Sequence, residues 1–226
     1  MTDAHHPILF LSGAGLSPWI WKDVRAQVNA DSAVGPRPSD CSGAPLAAYV
    51  ELAVEAAPPG RFAIVAHSSG GVVGAEVARL VPDRVTGFLG IAAVIPAAGG
   101  SFVSAMPAPN RWAIATAMRL AGTRPPATAI RRGLGTGLSK DVVERIVAEF
   151  TPESLDLYRQ KTGDHVWSGR RGFLVTTRDQ QLSPGLQRRF AERLGGKWSQ
   201  VIATGHLPML QNPEATAAMI RGFLTA

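Results

Sequence analysis

Short apolar runs alternate with longer amphipathic stretches along this chain of 226 residues. Apolar runs of roughly four to eight residues are typical of buried strands, whereas apolar positions spaced three and four apart are typical of helices. Strands that alternate with helices indicate a parallel sheet with helices packed on it. We therefore predict an α/β protein with about six strands, mostly parallel. The strand candidates are residues 8–11, 32–37, 62–65, 85–94, 172–177 and 198–203.

Capping residues and prolines mark where several helices begin. Ser17 followed by Pro18 begins the first helix, because proline fits the first helical position. Asn212 caps the last helix and Pro213 opens it. Further helices are predicted over residues 45–57, 71–80 and 184–194.

The alternation is interrupted after Pro96. Residues 97–168 contain helical segments separated by breaks that hold glycine and proline, and they contain no convincing strand. We predict that this stretch is a helical cap inserted into a single domain that spans residues 1–226. The helices of the insertion are predicted at residues 110–121, 140–150 and 152–161.

The composition is that of an ordinary soluble domain, since 46% of the residues are hydrophobic and 18% are charged. No basic leader precedes the first apolar run, and no apolar stretch is long enough to span a bilayer. We therefore expect a cytoplasmic protein that does not associate with a membrane. The single cysteine, Cys41, cannot form an intramolecular disulfide and has no obvious catalytic context.

The net charge of +6 is spread along the chain, and because no Lys/Arg run exceeds two we expect no nucleic-acid partner. Between residues 101 and 140, however, there are six basic residues and no acidic ones. This asymmetry would attract an anionic substrate or an acidic carrier protein, although a solvated helical face explains it better. The sequence leaves the oligomeric state open. The six basic residues are Arg111, Arg119, Arg124, Arg131, Arg132 and Lys140.

Catalytic chemistry is indicated by an Ala-His-Ser-Ser-Gly segment between a predicted strand and a predicted helix. A sharp strand-to-helix turn can hold a serine in strained backbone geometry, and it needs small residues two positions to either side. Ala66 and Gly70 are those small neighbours for Ser68. Ser69 would need a small residue at His67 and is therefore the poorer nucleophile. The alternative is a plain Gly-rich loop.

A serine hydroxyl needs a base that takes its proton and an acid that orients the base. His206 lies in the loop directly after the last predicted strand, and Asp179 lies just after the strand before it. Ser68, Asp179 and His206 have the chain order expected for this architecture. Without that order, Asp179 would be read as an exposed turn residue. Of the other histidines, His5 and His6 lie near the terminus, His67 adjoins the serine, and His165 ends the insertion as a surface or packing residue.

Attack by a serine creates an oxyanion that needs two preorganised N–H donors. The backbone N–H of Ser69 is one candidate because it follows the nucleophile. The second is the N–H of Ala14, in a Ser-Gly-Ala-Gly segment after the first strand whose small residues let the substrate approach the backbone. The glycines also make a tight turn, and the two explanations are compatible.

Taken together, these segments resemble the α/β-hydrolase superfamily over nearly the whole chain. The similarity rests on residues 11–21 (Leu-Ser-Gly-Ala-Gly-Leu-Ser-Pro-Trp-Ile-Trp), the serine turn, Arg178-Asp179 and residues 205–210 (Gly-His-Leu-Pro-Met-Leu). The small esterase and hydroxynitrile lyase group looks most similar, because its members also carry a Trp-x-Trp soon after the first strand.

The resemblance implies a three-layer α/β-hydrolase fold and a role for each matched residue. Ser68 would be the nucleophile, Asp179 the acid and His206 the base. Ala14 and Ser69 would supply the N–H groups of the oxyanion hole.

Three residues depart from the family pattern. The loop after the first strand usually begins His-Gly, whereas here Ser12 stands in place of the histidine, and Ala66 replaces the first glycine of the serine turn. The lyases carry a lysine directly after the base, where this chain has Leu207. The resemblance therefore favours an esterase over a cyanohydrin lyase.

We expect hydrolysis of a small to medium carboxylic ester, thioester or lactone through an acyl-enzyme on Ser68, with no metal and no cofactor. Two alternatives stay open, because a fold does not fix a reaction: a non-hydrolytic enzyme such as a cyclase, lyase or cofactor-free oxygenase, and a ligand-binding pseudo-hydrolase. The insertion is expected to form a lid. The residues that would line the substrate pocket, or alternatively pack in the core, are Trp19, Met106, Trp112, Met118 and Trp167.

Overall fold

A computed structural model of the protein describes residues 7–164 and 167–226. His5, His6 and His165 lie outside the described residues. Within the described part, no helix is both long enough and apolar enough to cross a membrane.

Six strands form one sheet, and every pair of neighbouring strands is parallel. The strands are β1 (Ile8–Leu11), β2 (Ser32–Val34), β3 (Phe62–His67), β4 (Val85–Ile91), β5 (Arg170–Thr176) and β6 (Trp198–Ile202). Their order across the sheet is β2-β1-β3-β4-β5-β6. The prediction of a parallel α/β sheet of about six strands is confirmed.

Helices flank the sheet on both faces, and a 3-10 turn at Pro18–Trp21 precedes the first of them. The helices are α1 (Lys22–Gln27), α2 (Leu46–Ala56), α3 (Gly70–Leu80), α4 (Phe102–Ala105), α5 (Asn110–Ala121), α6 (Ala127–Leu134), α7 (Lys140–Glu149), α8 (Leu155–Arg159), α9 (Pro184–Leu194), α10 (Pro208–Gln211) and α11 (Pro213–Thr225).

The core has two halves, one on each face of the sheet, because successive side chains of a strand point to opposite faces. Leu9 and Leu11 of β1 pack with α2, α3 and α9 on one face. Ile8 and Phe10 pack with α1 and α11 on the other face. The residues of β1 and β3 are buried on both faces, and the sheet with its two flanking helix layers gives the three layers that the sequence resemblance implies.

The region between β4 and β5 is helical. It contains α4 to α8, and residues 92–164 hold no strand. Two of these helices, α4 and α6, are short and were not predicted. A role of the region as a lid stays a prediction.

Several element ends differ from the predicted ones for local reasons. The run 85–94 was predicted as one strand, but β4 ends at Ile91 because Ala92 adopts a φ of +43° and turns the chain out of the sheet. Ser17 precedes a 3-10 turn and makes no side-chain capping bond. Asn212 does cap α11, since its side chain accepts a hydrogen bond from Ala215 N.

Candidate active site

Ser68 lies at the sharp turn between β3 and α3. Its φ is +52°, a left-handed conformation that is strained for a residue with a side chain. A Cβ at Gly70 would lie 2.6 Å from Leu11 O, and a Cβ at Gly71 would lie 2.5 Å from Val94 O. Only glycine fits at these two positions. The turn therefore has a strained serine and, at Gly70, a predicted small neighbour whose place no larger residue could take.

Asp179 lies just beyond β5, and both of its carboxylate oxygens accept several hydrogen bonds. Oδ1 accepts from the backbone N–H groups of Gln181 (2.7 Å) and Leu182 (2.9 Å). Oδ2 accepts from Thr176 Oγ1 and Gln187 Nε2, each at 3.0 Å. Because the Asp179 side chain is 0% exposed, these bonds replace the water that the carboxylate loses. They also fix the orientation of the carboxylate.

His206, in the loop after β6, completes this arrangement. Its Nδ1 lies 2.7 Å from Asp179 Oδ2. Burial by itself raises the pKa of the Asp179 carboxyl, but the hydrogen bonds from His206, Leu182 and Gln181 outweigh burial and hold the pKa below its usual value. A carboxylate only accepts, so Nδ1 carries the proton and Nε2 is left as the base.

Ser68 and His206 line the same cavity. Within the described residues no hydrogen bond joins the Ser68 hydroxyl to His206. Such bonds often tighten only when a substrate is bound. The structure therefore brings Ser68, His206 and Asp179 together at the carboxyl edge of the sheet, and their catalytic roles stay predictions.

His67 links the serine turn to the loop that holds the base. Its Nε2 donates a hydrogen bond to His206 O at 2.9 Å, and the centroids of the two imidazole rings are 4.6 Å apart. Burial, followed by the neighbouring His206 ring, lowers the pKa of His67 to about 3. His67 is therefore neutral near pH 7. Its Nδ1 is buried and has no hydrogen-bond partner among the described residues.

The loop after β1 packs directly against the serine turn. A Cβ at Gly13 would lie 2.8 Å from the Cβ of Ser68, so glycine is required for this close approach. Ala14 lines the cavity beside Ser68. In the part of the chain that the structure describes, the backbone N–H groups of Ala14 and Ser69 donate to no protein acceptor. Both groups are thus available to a ligand oxygen, as an oxyanion hole requires.

The topology explains why these loops meet. The chain leaves β1 towards β2 on one side and returns to β3 on the other, so the loops after β1 and β3 diverge at a switch point. Ligands of open α/β sheets bind at such points, outside the carboxyl ends of the strands.

The cavity beside Ser68 has a volume of about 210 Å³, and its walls are mostly apolar. Besides Ser68 and His206, its polar side chains are Thr123, Gln181 and Tyr158. No Asp, Glu, Lys or Arg residue is among the described residues that line it. Its apolar wall residues from the helical region between β4 and β5 include Phe102, Met118, Ile130, Leu134 and Phe150.

Of the five residues predicted for the pocket, Met118 lines this cavity and the other four do not. The structure places Trp167 away from this cavity, because its Nε1 donates to Val85 O (3.0 Å) at the start of β4. That position is at the opposite edge of the sheet from Ser68. The ring of Trp167 packs against Phe88 in the core.

Trp19, Trp112 and Met106 also lie outside the lining of this cavity. Trp19 Nε1 donates to Glu149 Oε2 at 2.7 Å, so its ring is held at the surface of α7. Trp112 is 60% exposed to solvent, and Met106 is buried in the core cluster that contains α2 and α3. Apolar residue type alone does not separate a pocket wall from a core or a surface position.

The family assignment follows from a direct comparison of the sequence. A model described as "Alpha/beta hydrolase family" matches residues 8–219. The chain belongs to the alpha/beta hydrolase family. No curated protein matches the sequence.

Solved structures with the same fold include three hydrolases or esterases. One is an extracellular alpha/beta-hydrolase from a Paenibacillus species, described as sharing structural and functional homology with tobacco salicylic acid binding protein 2. It has a TM-score of 0.81 and 16% identity, and the match covers 95% of this chain and 97% of that chain. A pyrethroid hydrolase from Sphingobium faniae has a TM-score of 0.71, 18% identity and 98% coverage of both chains. A polyneuridine aldehyde esterase has a TM-score of 0.74 and 17% identity, with 96% of this chain and 98% of that chain covered. At these identities the likeness establishes the fold alone.

Sequence reasoning missed the residues that hold the site of this alpha/beta hydrolase in place. Gln187 of α9 bonds to Asp179, and Arg37 and Glu153 contact the loop after β1. Arg37 and Glu153 are 116 positions apart and belong to no motif. A charged residue looks solvated in a sequence, and its burial becomes visible only when the elements around it are packed.

Proposed function

We propose that the protein is a serine hydrolase that cleaves a small to medium carboxylic ester, thioester or lactone. The observation that carries the proposal is the buried bond between Asp179 and His206 beside a cavity that Ser68 lines. A neutral imidazole oriented by a carboxylate is the base that a serine hydroxyl requires.

In the proposed reaction, Ser68 Oγ attacks the carbonyl carbon while His206 Nε2 takes the hydroxyl proton. The electron pair of the carbonyl bond moves to oxygen, where the N–H groups of Ala14 and Ser69 stabilise the negative charge. The intermediate collapses, and the leaving alcohol or thiol takes the proton from His206. Water then attacks the acyl group on Ser68 by the same steps and releases the acid. Asp179 stabilises the imidazolium that forms twice during the cycle.

The cavity favours a small, uncharged substrate. Its 210 Å³ is below the roughly 300–1,000 Å³ of typical ligand pockets. Its described lining has no charged residue to pair with a charged substrate. Two of the basic residues between 101 and 140 already have protein partners, since Arg124 donates to Phe150 O and Arg131 pairs with Glu144. An anionic or carrier-bound acyl substrate stays a prediction that these contacts do not favour.

Related folds support ester hydrolysis by analogy. Two of the similar structures are those of a pyrethroid hydrolase and a polyneuridine aldehyde esterase. Because this fold also carries other chemistries, the likeness by itself leaves the reaction open.

The proposal is tested by labelling with a fluorophosphonate probe and by turnover of para-nitrophenyl butyrate. We expect wild-type protein to label at Ser68 and to hydrolyse the ester, and we expect Ser68→Ala to do neither. Ser199→Ala is the matched control, because Ser199 is an exposed serine of β6 and should keep full activity. Wild-type protein that neither labels nor turns over would refute the proposal. If Ser68→Ala lost ester hydrolysis but kept the native activity of the protein, and His206→Ala lost that native activity, the non-hydrolytic alternative would replace the proposal.

A further inference from the structure

The loop after β1 is held by a buried ion pair. Arg37 follows β2, and Glu153 lies between α7 and α8 in the helical region. The guanidinium Nε donates to Glu153 Oε1. The side chain of Glu153 is 2% exposed and that of Arg37 is 20% exposed. A buried ion pair is weak evidence for stability, because desolvation opposes the attraction between the charges. Its contacts with the loop suggest a different role.

Both members of the pair bind the backbone of the loop. Arg37 Nη2 donates to Gly13 O at 2.8 Å and also to Leu16 O. Glu153 Oε1 accepts a hydrogen bond from Gly15 N at 3.0 Å. The pair therefore fixes the backbone on both sides of Ala14: the carbonyl of Gly13 before it, and the N–H of Gly15 and the carbonyl of Leu16 after it.

Because a peptide bond is planar, the contact of Arg37 with Gly13 O also determines the orientation of the Ala14 N–H. Gly13 C=O and Ala14 N–H belong to one planar trans peptide, so they point in opposite directions. When Arg37 holds the Gly13 oxygen, it also sets the direction of the Ala14 N–H. That N–H donates to no acceptor among the described residues, and Ala14 lines the cavity beside Ser68.

We propose that Arg37 and Glu153 are positioning residues that aim the Ala14 N–H at the oxyanion. This inference rests on the proposed hydrolase function. It also makes the oxyanion hole depend on the segment between α7 and α8, because Glu153 reaches the loop from there. Phe150 also holds the loop from this region, because its ring packs so closely on Gly15 that a Cβ there would overlap it.

The test separates transition-state stabilisation from binding and from folding. Arg37→Lys keeps the positive charge, but one ammonium group cannot reproduce the fixed fork of donors that reaches Gly13, Leu16 and Glu153. We expect kcat for para-nitrophenyl butyrate to fall about 10- to 100-fold, because a misplaced donor loses much of what a whole oxyanion-hole donor provides. KM and the melting temperature should stay close to the wild-type values.

An inhibitor pair isolates the oxyanion. Trifluoromethyl pentyl ketone forms a tetrahedral adduct with a serine nucleophile and places a negative oxygen in the hole, whereas the corresponding alcohol forms no adduct. Arg37→Lys should weaken inhibition by the ketone by the same factor as kcat and leave inhibition by the alcohol unchanged. Arg131→Lys is the matched control, because Arg131 also uses Nε and Nη2 to pair with a glutamate, Glu144, but at an exposed position.

Glu153→Gln provides a second variant if Arg37→Lys does not fold. Its amide oxygen can still accept from Gly15 N, while the charge that orients Arg37 is lost, so kcat and ketone inhibition should again fall together. Unchanged kcat and ketone inhibition in a folded variant would overturn this inference alone. A wild-type protein that neither labels with the fluorophosphonate nor turns over the ester would overturn the proposed function as well.

Discussion

Replacing Asp179 with Asn should remove most of the activity, because it reverses the hydrogen bonding of His206. Oδ1 of Asp179 accepts from the backbone N–H groups of Gln181 and Leu182, so the amide oxygen of the variant must stay at that position. The amide NH₂ then replaces Oδ2 and faces His206 Nδ1. A donor at this position turns Nδ1 into an acceptor and moves the ring proton to Nε2. Nε2 then cannot take the proton of Ser68.

The same atoms set the magnitude of the loss. A wrong tautomer of the catalytic histidine lowers kcat about 10⁴-fold in the serine protease template, which corresponds to about 5 kcal/mol of transition-state stabilisation. Gln187 Nε2 also donates to Oδ2, at 3.0 Å. In the variant, the NH₂ group of Gln187 therefore faces the new NH₂ group at position 179 and loses its acceptor. One unsatisfied buried donor costs about 1–3 kcal/mol of unfolding free energy. We therefore expect a folded, less stable protein with about 10⁴-fold lower kcat.

The assay measures kcat for para-nitrophenyl butyrate, the rate of fluorophosphonate labelling and the melting temperature. Asp83→Asn is the control, because Asp83 is exposed in the loop before β4, at the edge of the sheet opposite Ser68. If folded Asp179→Asn kept kcat within about tenfold of the wild type, the argument from the tautomer would be wrong.

The remaining predictions concern stability and are checked by urea unfolding. Gly222→Ala should raise the free energy of unfolding by about 0.5–1 kcal/mol, because a Cβ at this exposed position of α11 meets no neighbouring atom. Gly74→Ala should lower it by about 1–3 kcal/mol, because its Cβ would lie 2.9 Å from the Phe88 ring, and a stabilised variant would contradict the packing. The pKa of His67 is about 3 in the folded protein against an ordinary 6.5, so its contribution to stability is complete above pH 6.5. As the pH falls from 6.5 to 3, the unfolded chain takes up a proton that the folded protein does not, which costs about 1.4 kcal/mol per pH unit. His67→Gln should not lose this part of the free energy of unfolding at low pH. If the free energy of unfolding of the variant and of the wild type fell equally between pH 6.5 and 3, the lowered pKa of His67 would be refuted.

The sequence is informative about the loops of the candidate site because a parallel sheet gathers them. Once the strands are identified, residues that follow β3, β5 and β6 must meet at one edge, and Ser68, Asp179 and His206 are the residues there that suit nucleophilic catalysis. Strand ends are less predictable. The apolar run beyond Ile91 looks like more strand, and the positive φ of Ala92 that ends β4 leaves no trace in hydrophobicity.

The supports of the site are the part that sequence reasoning did not reach. Arg37 and Glu153 meet only when a loop after β2 and a segment beyond α7 are packed together. The residues that line the pocket are hard to predict for a related reason, since Met118 and Trp167 are both apolar residues of the region between β4 and β5. One lines the cavity beside Ser68, and the other packs at the opposite edge of the sheet.

The apolar walls of the cavity come largely from one continuous piece of the chain. Met118, Ile130 and Leu134 belong to α5 and α6, whereas Ser68 and His206 stand on loops of the sheet. Mutations that reshape the pocket can therefore accumulate in α5 and α6 without touching the strained turn or the buried carboxylate. If the proposed function holds, a library confined to these two helices should change substrate preference while Ser68, Asp179 and His206 keep their positions.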